Sequence, residues 1–364
     1  MLRAGRHLGA ALLIAMPGLA WAQAQMLTPR YAHTATLLAD GRILIYGGLG
    51  AGDVFVTGTQ LFHPATSQFS PGPSGHKGRA FHTATALPGG TVLIAGGFIL
   101  PYSTSRTAEL FDGQRFVFLE EKMSAPRELH AATLLADGSV LITGGFVGGI
   151  TSLAGCDLFD PATHTFSPTT DMRFSRFGHA ACLLGDGRVL ITGGTQYPGE
   201  RTLAAAELYE PAAAQFQPAG RMLAHRSRHT TTVLHDGRVL ITGGYSATAG
   251  RQLVSTELFG PATGTFTAGP DMAEPRMDHT ATLLPDGRVL IAGGFNGQGG
   301  PHTVASCEVF DPKAGCFRPG PPLSTAVHEH KATLLSSGAV LISGGLRIEA
   351  ETRQAVSDAV TIQP

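Results

Sequence analysis

One phrase, written seven times, constrains this chain more than any other feature. It is close to R-x-x-H-T-A-T-L-L-x-D-G-R-V-L-I-x-G-G. Its histidine falls at His33, His82, His130, His179, His229, His279 and His330, at intervals of 48 to 51 residues. A glycine pair closes every copy, from Gly47-Gly48 to Gly344-Gly345. A second phrase follows each of the first six copies, as in Glu257-Leu258-Phe259-Gly260-Pro261 with Phe266 behind it. Self-similarity at a fixed period means one supersecondary unit that buries its apolar surface only by stacking on its neighbours.

Each unit reads as four short strands, a to d. His279 to Leu284 is strand a and Arg288 to Ala292 is strand b. Pro285-Asp286-Gly287 joins them, since Asp-Gly tolerates the positive φ of a tight hairpin. Ser255 to Phe259 reads as strand c and Thr265 to Ala268 as strand d, with a Gly-Pro turn between them. Strands a and b are apolar almost without a break, as in sheets buried on both faces. Such sheets must pack on one another, and radial repetition in a ring of four to eight does this.

The glycine pairs, the period near 50 and the phenylalanine at positions such as Phe266 resemble the kelch repeat. The resemblance covers essentially all of residues 27–364 and implies an all-β fold. The fold expected is a seven-bladed kelch β-propeller with four strands per blade. Asp358 to Gln363 matches only strand c, and no strand d follows it. The segment from Gln23 to Arg30 ends like a complete unit, so the N-terminal strand is expected to close the ring by supplying the outer strand of blade seven. Kelch propellers include enzymes, adaptors and glycan binders, so the resemblance leaves the function open. Copper radical oxidases of the galactose oxidase type use this fold with a Tyr-His dipeptide at copper. None of the six tyrosines here is followed by histidine. Periplasmic sialic-acid mutarotases are kelch propellers too, usually of six blades.

Arg3 and Arg6, the apolar stretch from Leu8 to Leu19 and the small-x-small Ala20-Trp21-Ala22 read as a secretory signal. The stretch is short and broken by Pro17 and Gly18, so it makes a poor membrane span. The expectation is a signal peptide over residues 1–22, one domain over 23–364, and a periplasmic or secreted mature chain without a membrane span. Basic and acidic residues balance at 26 against 27, which gives no basic excess for a nucleic-acid surface. Cys156, Cys182, Cys307 and Cys316 form no CxxC spacing, so neither zinc nor a structural disulfide is expected.

The seven histidines are one per blade, and ring symmetry keeps them too far apart to share a metal, whose ligands lie within about 2.0–2.3 Å of one point. No metal and no cofactor are expected. Arg30, Arg79, Arg127, Arg176, Arg226 and Arg276 precede strand a. In animal kelch adaptors arginines at this motif position hold acidic peptides, which implies an anion-binding mouth. A competing reading pairs five of them with Glu109, Asp157, Glu207, Glu257 and Glu308 on strand c, as structural ion pairs. Blade one has Gln60 in place of the acid, and blade seven has Val327 and Ala359.

Function in a propeller lives where the copies differ. The b–c connections and the starts of strands a share one face, and the uniform Asp-Gly turns lie on the other. Beside the channel, the two residues between Arg and His vary. They supply Glu128, Arg228, Asp278, His328, Glu329, Phe81 and Phe177 as candidate ligand-binding residues. Carboxylates, His, Arg and aromatics facing one pocket suit a sugar or an acidic group, or acid–base chemistry. The leading reading is a binding module for a glycan, peptide or envelope partner on the b–c loop face. The alternative is a carbohydrate-active enzyme, an epimerase or mutarotase, with its site at the mouth of the central channel.

Overall fold

The structure, a computed structural model, describes residues 22–297, 302–349 and 352–363. Among the described residues seven four-stranded antiparallel sheets form the blades, and smaller sheets together with one further four-stranded sheet join strands b and c of the blades. Blade five shows the pattern: strand a Thr230–Val233, b Val239–Thr242, c Thr256–Gly260 and d Thr265–Ala268, paired in that order. Gly237 makes the a–b turn at φ +83°, while the carboxylate of Asp236 accepts from the N–H of Arg238. Strand a of each blade lies against strand a of the next, and Lys331–Leu334 of blade seven lies beside Thr34–Leu37 of blade one. The ring is therefore closed.

Closure uses the N-terminal segment, as the repeat count requires. Ala22–Gln25 pairs antiparallel with Asp358–Ile362, which is strand c of blade seven. Trp21 and the residues before it lie outside the described residues. No helix among the described residues is long and apolar enough to cross a membrane.

Strand b packs deepest. Val239, Leu240 and Ile241 are fully buried, as are their counterparts in most other blades. Each of the first six blades also places an aromatic of strand c opposite one of strand d, from Phe62–Phe69 to Phe310–Phe317. Their rings stand 4.8 to 5.1 Å apart, within the range of favourable aromatic pairs.

Histidine and glycine couple one blade to the next. Nε2 of each repeat histidine is hydrogen-bonded to a hydroxyl of the preceding blade: His229 to Thr192 at 2.8 Å, His82 to Thr34 at 3.0 Å, His33 to Ser343 at 3.4 Å. The imidazole edge lies over the first glycine of that blade's pair. A Cβ on Gly243 would stand 2.9 Å from Cε1 of His279, at a φ of +61° that side chains rarely adopt. This is why each copy needs both His and Gly-Gly.

The b–c connections of blades two to seven contain short β-hairpins, for example Thr195–Gln196 with Arg201–Thr202. One expectation needs correction. In blade seven the register sets Val360, not Ala359, at the acid position. Ile342 faces Val360 as Ile241 faces Glu257.

Candidate functional site at the channel mouth

The six arginines turn into the blades, away from the channel, and none has exposed surface. Arg226 is representative. Its Nη1 donates to the carbonyls of Gly243 and Ser255, and its Nη2 reaches Glu257 at 2.7 Å. Glu257 also accepts from the backbone N–H of Leu223 and Ala224. The equivalent ion pairs are Arg79–Glu109, Arg127–Asp157, Arg176–Glu207 and Arg276–Glu308, at 2.6 to 2.8 Å. The structural reading therefore holds, and an anion-binding mouth built from these arginines is ruled out by their burial. In blade one Gln60 accepts from the N–H of Leu27 and donates to the carbonyl of Thr28, and Arg30 has no acid partner among the described residues. Burial lowers its guanidinium to about 10.

Anchoring each arginine fixes the two residues that follow it. The second of them is left-handed in all seven blades: Ala32, Phe81, Leu129, Gly178, Arg228, Asp278 and Glu329, at φ of +50° to +58°. Such a φ costs an ordinary residue about 1–2 kcal/mol. A backbone ring offsets it. The N–H of each of these residues donates to the carbonyl of its counterpart in the preceding blade, at 2.7 to 3.2 Å, and Ala32 completes the circle by donating to Glu329. Seven hydrogen bonds thus encircle the axis. A cavity of about 300 Å³ opens at this ring, lined among others by Phe81, Leu129, Arg228, Asp278, Glu329 and Lys331.

The lining is divided. At the ring itself blades one to three contribute Ala32, Phe81 and Leu129, which carry no polar side-chain atom, while the repeat histidines line the cavity below them. Blades five to seven contribute Arg228, Asp278 and Glu329. Arg228 binds both acids through Nη1, at 2.9 Å to Asp278 Oδ2 and 3.5 Å to Glu329 Oε1.

A kelch motif matches residues 278–324. Among solved structures, the chain is similar to a fungal alcohol oxidase of the AA5 family, in complex with copper, with a TM-score of 0.76 and 17% identity over 95% of this chain and 76% of that one. At this identity the likeness is one of fold. No protein of curated function matches the chain. The chain is a β-propeller that carries a kelch motif.

In this propeller the candidate residues split into two sets. Phe81, Arg228, Asp278 and Glu329 stand on the axial ring and line the cavity. Glu128, Phe177 and His328 occupy the other position of the Arg-to-His pair, one step out. There they bridge to the residue after the glycine pair: Glu128 to Phe146, Phe177 to Thr195, His328 to Leu346. Phe177 stacks on Phe146 at 4.6 Å, and His328 lies over Phe295 at 5.4 Å. The seven therefore do not occupy equivalent sites, because the two positions face different neighbours.

Burial sets the electrostatics of the mouth. It pushes the carboxyl of Glu128 up to about 7. Glu329 also rises to about 7, from burial and then from the Asp278 carboxylate beside it, against the pull of Arg228. Burial holds His328 down at about 4, so its ring is neutral at pH 7. Both ring nitrogens of His328 are buried without a hydrogen-bond partner among the described residues. Ligand atoms of Asp278, His328 and Glu329 lie within 4.8 Å of one another, a set that could hold a metal ion. Arg228 already supplies a cation to one oxygen of each acid, so the charge there is partly met. Lys331, on the cavity wall, was missed by the sequence reading. The signal was present, since the equivalent positions are Thr34, Thr83, Ala131, Ala180, Thr230 and Thr280.

Proposed function

We propose that this propeller is an exported binding module whose channel mouth takes a carbohydrate, a glycan end or a free sugar. The divided lining carries the reading. A sugar presents an apolar C–H face and an edge of hydroxyls, and the mouth offers Phe81 and Leu129 opposite Arg228, Asp278 and Glu329. Binding pockets of this kind pair apolar walls with a few placed polar groups. The unpartnered nitrogens of His328 supply a further site for a hydroxyl beside the two acids. Export rests on the Arg3-to-Ala22 pattern. Cleavage after Ala22 would leave Gln23 to Gln25 for the closing strand.

A second reading, a sugar isomerase or epimerase, is favoured by one observation. Glu128 and Glu329 are carboxyls poised to about 7, where an acid or base works best near neutral pH. A glycan and sugar binding screen on the secreted protein, followed by NMR of each hit for anomeric or stereochemical exchange, separates the two. Binding lost in Phe81→Ala and Asp278→Asn, with no exchange, fits the module. Exchange lost in Glu329→Gln fits the enzyme. Hits that survive all three substitutions remove the channel mouth from consideration.

A further inference from the structure

Lys331 interrupts a pattern that the other blades keep. The repeat histidine of each blade needs a hydroxyl from the blade before it. Blades one, two and six supply it from the first residue of strand a, as Thr34, Thr83 and Thr280. Blades three and four have alanine there and supply it from the end of strand b, as Thr143 and Thr192. Blade seven takes the second route, with Ser343 bonded to His33. Position 331 is thereby released from the coupling between blades. In blades three and four the released position shrinks to alanine, whereas in blade seven it carries a lysine.

The lysine lines the cavity as the first residue of strand a, two residues after Glu329. Its ammonium has no hydrogen bond or ion pair within 4 Å among the described residues, although the carboxylates of Glu329 and Asp278 act on it from farther off. Lys77, Lys122 and Lys313, the other lysines of the chain, are exposed on the surface. Placing an aliphatic amine inside a polar-rimmed pocket has a cost in desolvation, and nothing in the fold requires it there.

We infer that Lys331 is a carbonyl-capturing amine, whose Nζ forms an imine with an aldehyde- or ketone-bearing ligand in the channel mouth, the open-chain form of a reducing sugar being the class that fits. The choice of sugar rests on the proposed function; the reactive amine does not. The lone pair of Nζ attacks the carbonyl carbon and the carbonyl oxygen gains a proton. The carbinolamine then loses water to leave a C=N bond, so amine and carbonyl give imine and water with no redox partner. Attack needs the neutral amine, and an amine that lines a cavity with no hydrogen-bond or ion-pair partner to hold its proton is placed to supply it. The Glu329 carboxyl lines the same cavity and is the group that can give the proton for dehydration.

The test uses the four lysines as internal controls. The full chain is incubated at pH 7 with glyceraldehyde and cyanoborohydride, which reduces any imine to a stable secondary amine, and modification of each lysine is followed by peptide mass spectrometry. Lys331 is expected to be modified at least tenfold faster than Lys77, Lys122 and Lys313. Lys331→Thr, which restores the residue of blades one, two, five and six, should remove the fast site, and Lys331→Arg should do so with the positive charge kept. A Lys331 modified no faster than the surface lysines overturns the inference. Fast trapping in a protein that binds no glycan upholds the amine and overturns only the glycan reading.

Discussion

Removing Arg226 strands a carboxylate inside blade five. Arg226 is fully buried and the side chain of Glu257 is 2% exposed, so water cannot replace the lost partner. Breaking one side of such a pair costs about 3–5 kcal/mol. Glu257→Ala should cost a similar amount by another route, because it leaves the guanidinium unpaired and frees the N–H groups of Leu223 and Ala224. The double substitution Arg226→Val with Glu257→Val is different. It installs the pair that blade seven already carries, Val327 and Val360, and leaves no stranded charge. What it still loses is partners for backbone groups, about 1–3 kcal/mol for each one that stays buried. The double variant should therefore lose clearly less than the about 6–10 kcal/mol of the singles added together, because neither charge is left stranded. Urea unfolding followed by circular dichroism reads all four corners of the cycle. Additivity to within about 0.5 kcal/mol would refute the reasoning and return the arginine to a role outside the blade.

Acid should unfold the protein steeply. Burial holds all seven repeat histidines below their ordinary value, to about 3 for His130 and His330. The unfolded chain therefore takes up more protons as pH falls below about 6.5, and stability drops by up to about 9–10 kcal/mol per pH unit until the folded pKa values are reached. Glu128 and Glu329 act oppositely, stabilising below about 4.5 and losing that as pH rises through about 7, but they are two against seven. An acid titration by circular dichroism should place the midpoint above pH 4; a native fold at pH 4 would contradict the buried neutral ring. Gly243→Ala should prevent folding or cost more than 4 kcal/mol, since its Cβ would meet the Arg276 carbonyl and the His279 ring, whereas Gly237→Ala, with open space around it, should cost only about 1–2 kcal/mol for its φ of +83°; similar melting temperatures for the two would contradict this. Removing residues 22–25 should expose the edge of Asp358–Ile362 and promote aggregation, read by light scattering, and an unchanged monomer would show that the ring holds without that strand.

The architecture was legible because the repeat states it seven times, and each copy corroborates the others. The Arg–acid pairs were legible for a related reason: five blades vary together, and two long side chains reach across the strand between them. The blade-seven acid position was misplaced by one residue because no Arg or Glu marks it there, and only the pairing of Ile342 with Val360 fixes the register. The mouth was half legible. Arg228, Asp278 and Glu329 stand out as charges in a variable pair, yet whether a residue is first or second in that pair decides whether it lines the cavity. That depends on the left-handed turn before each histidine, and no residue preference announces it, since Ala32, Phe81 and Leu129 all adopt it. The bond of Arg228 to two acids, contributed by the next two blades, was beyond reach because it arises only when the ring is closed.

The exchange of hydroxyls between strands a and b shows how such a ring acquires a function without losing its form. The coupling between blades needs one hydroxyl per histidine but is indifferent to which strand provides it. Blade five has both, and the ring of His279 lies 3.2 Å from Thr230 and 2.8 Å from Thr242. A blade with both can lose one without breaking the contact to its neighbour. Blades three and four have done so and carry alanine; blade seven has done so and carries Lys331. Redundancy in the scaffold thus leaves a position on the channel wall free to vary, one layer below the seven ring residues, whose backbone is fixed while their side chains are not. Both layers of the mouth combine a constrained backbone with a free side chain. The charged groups of blades five to seven have accumulated where the structure leaves that freedom.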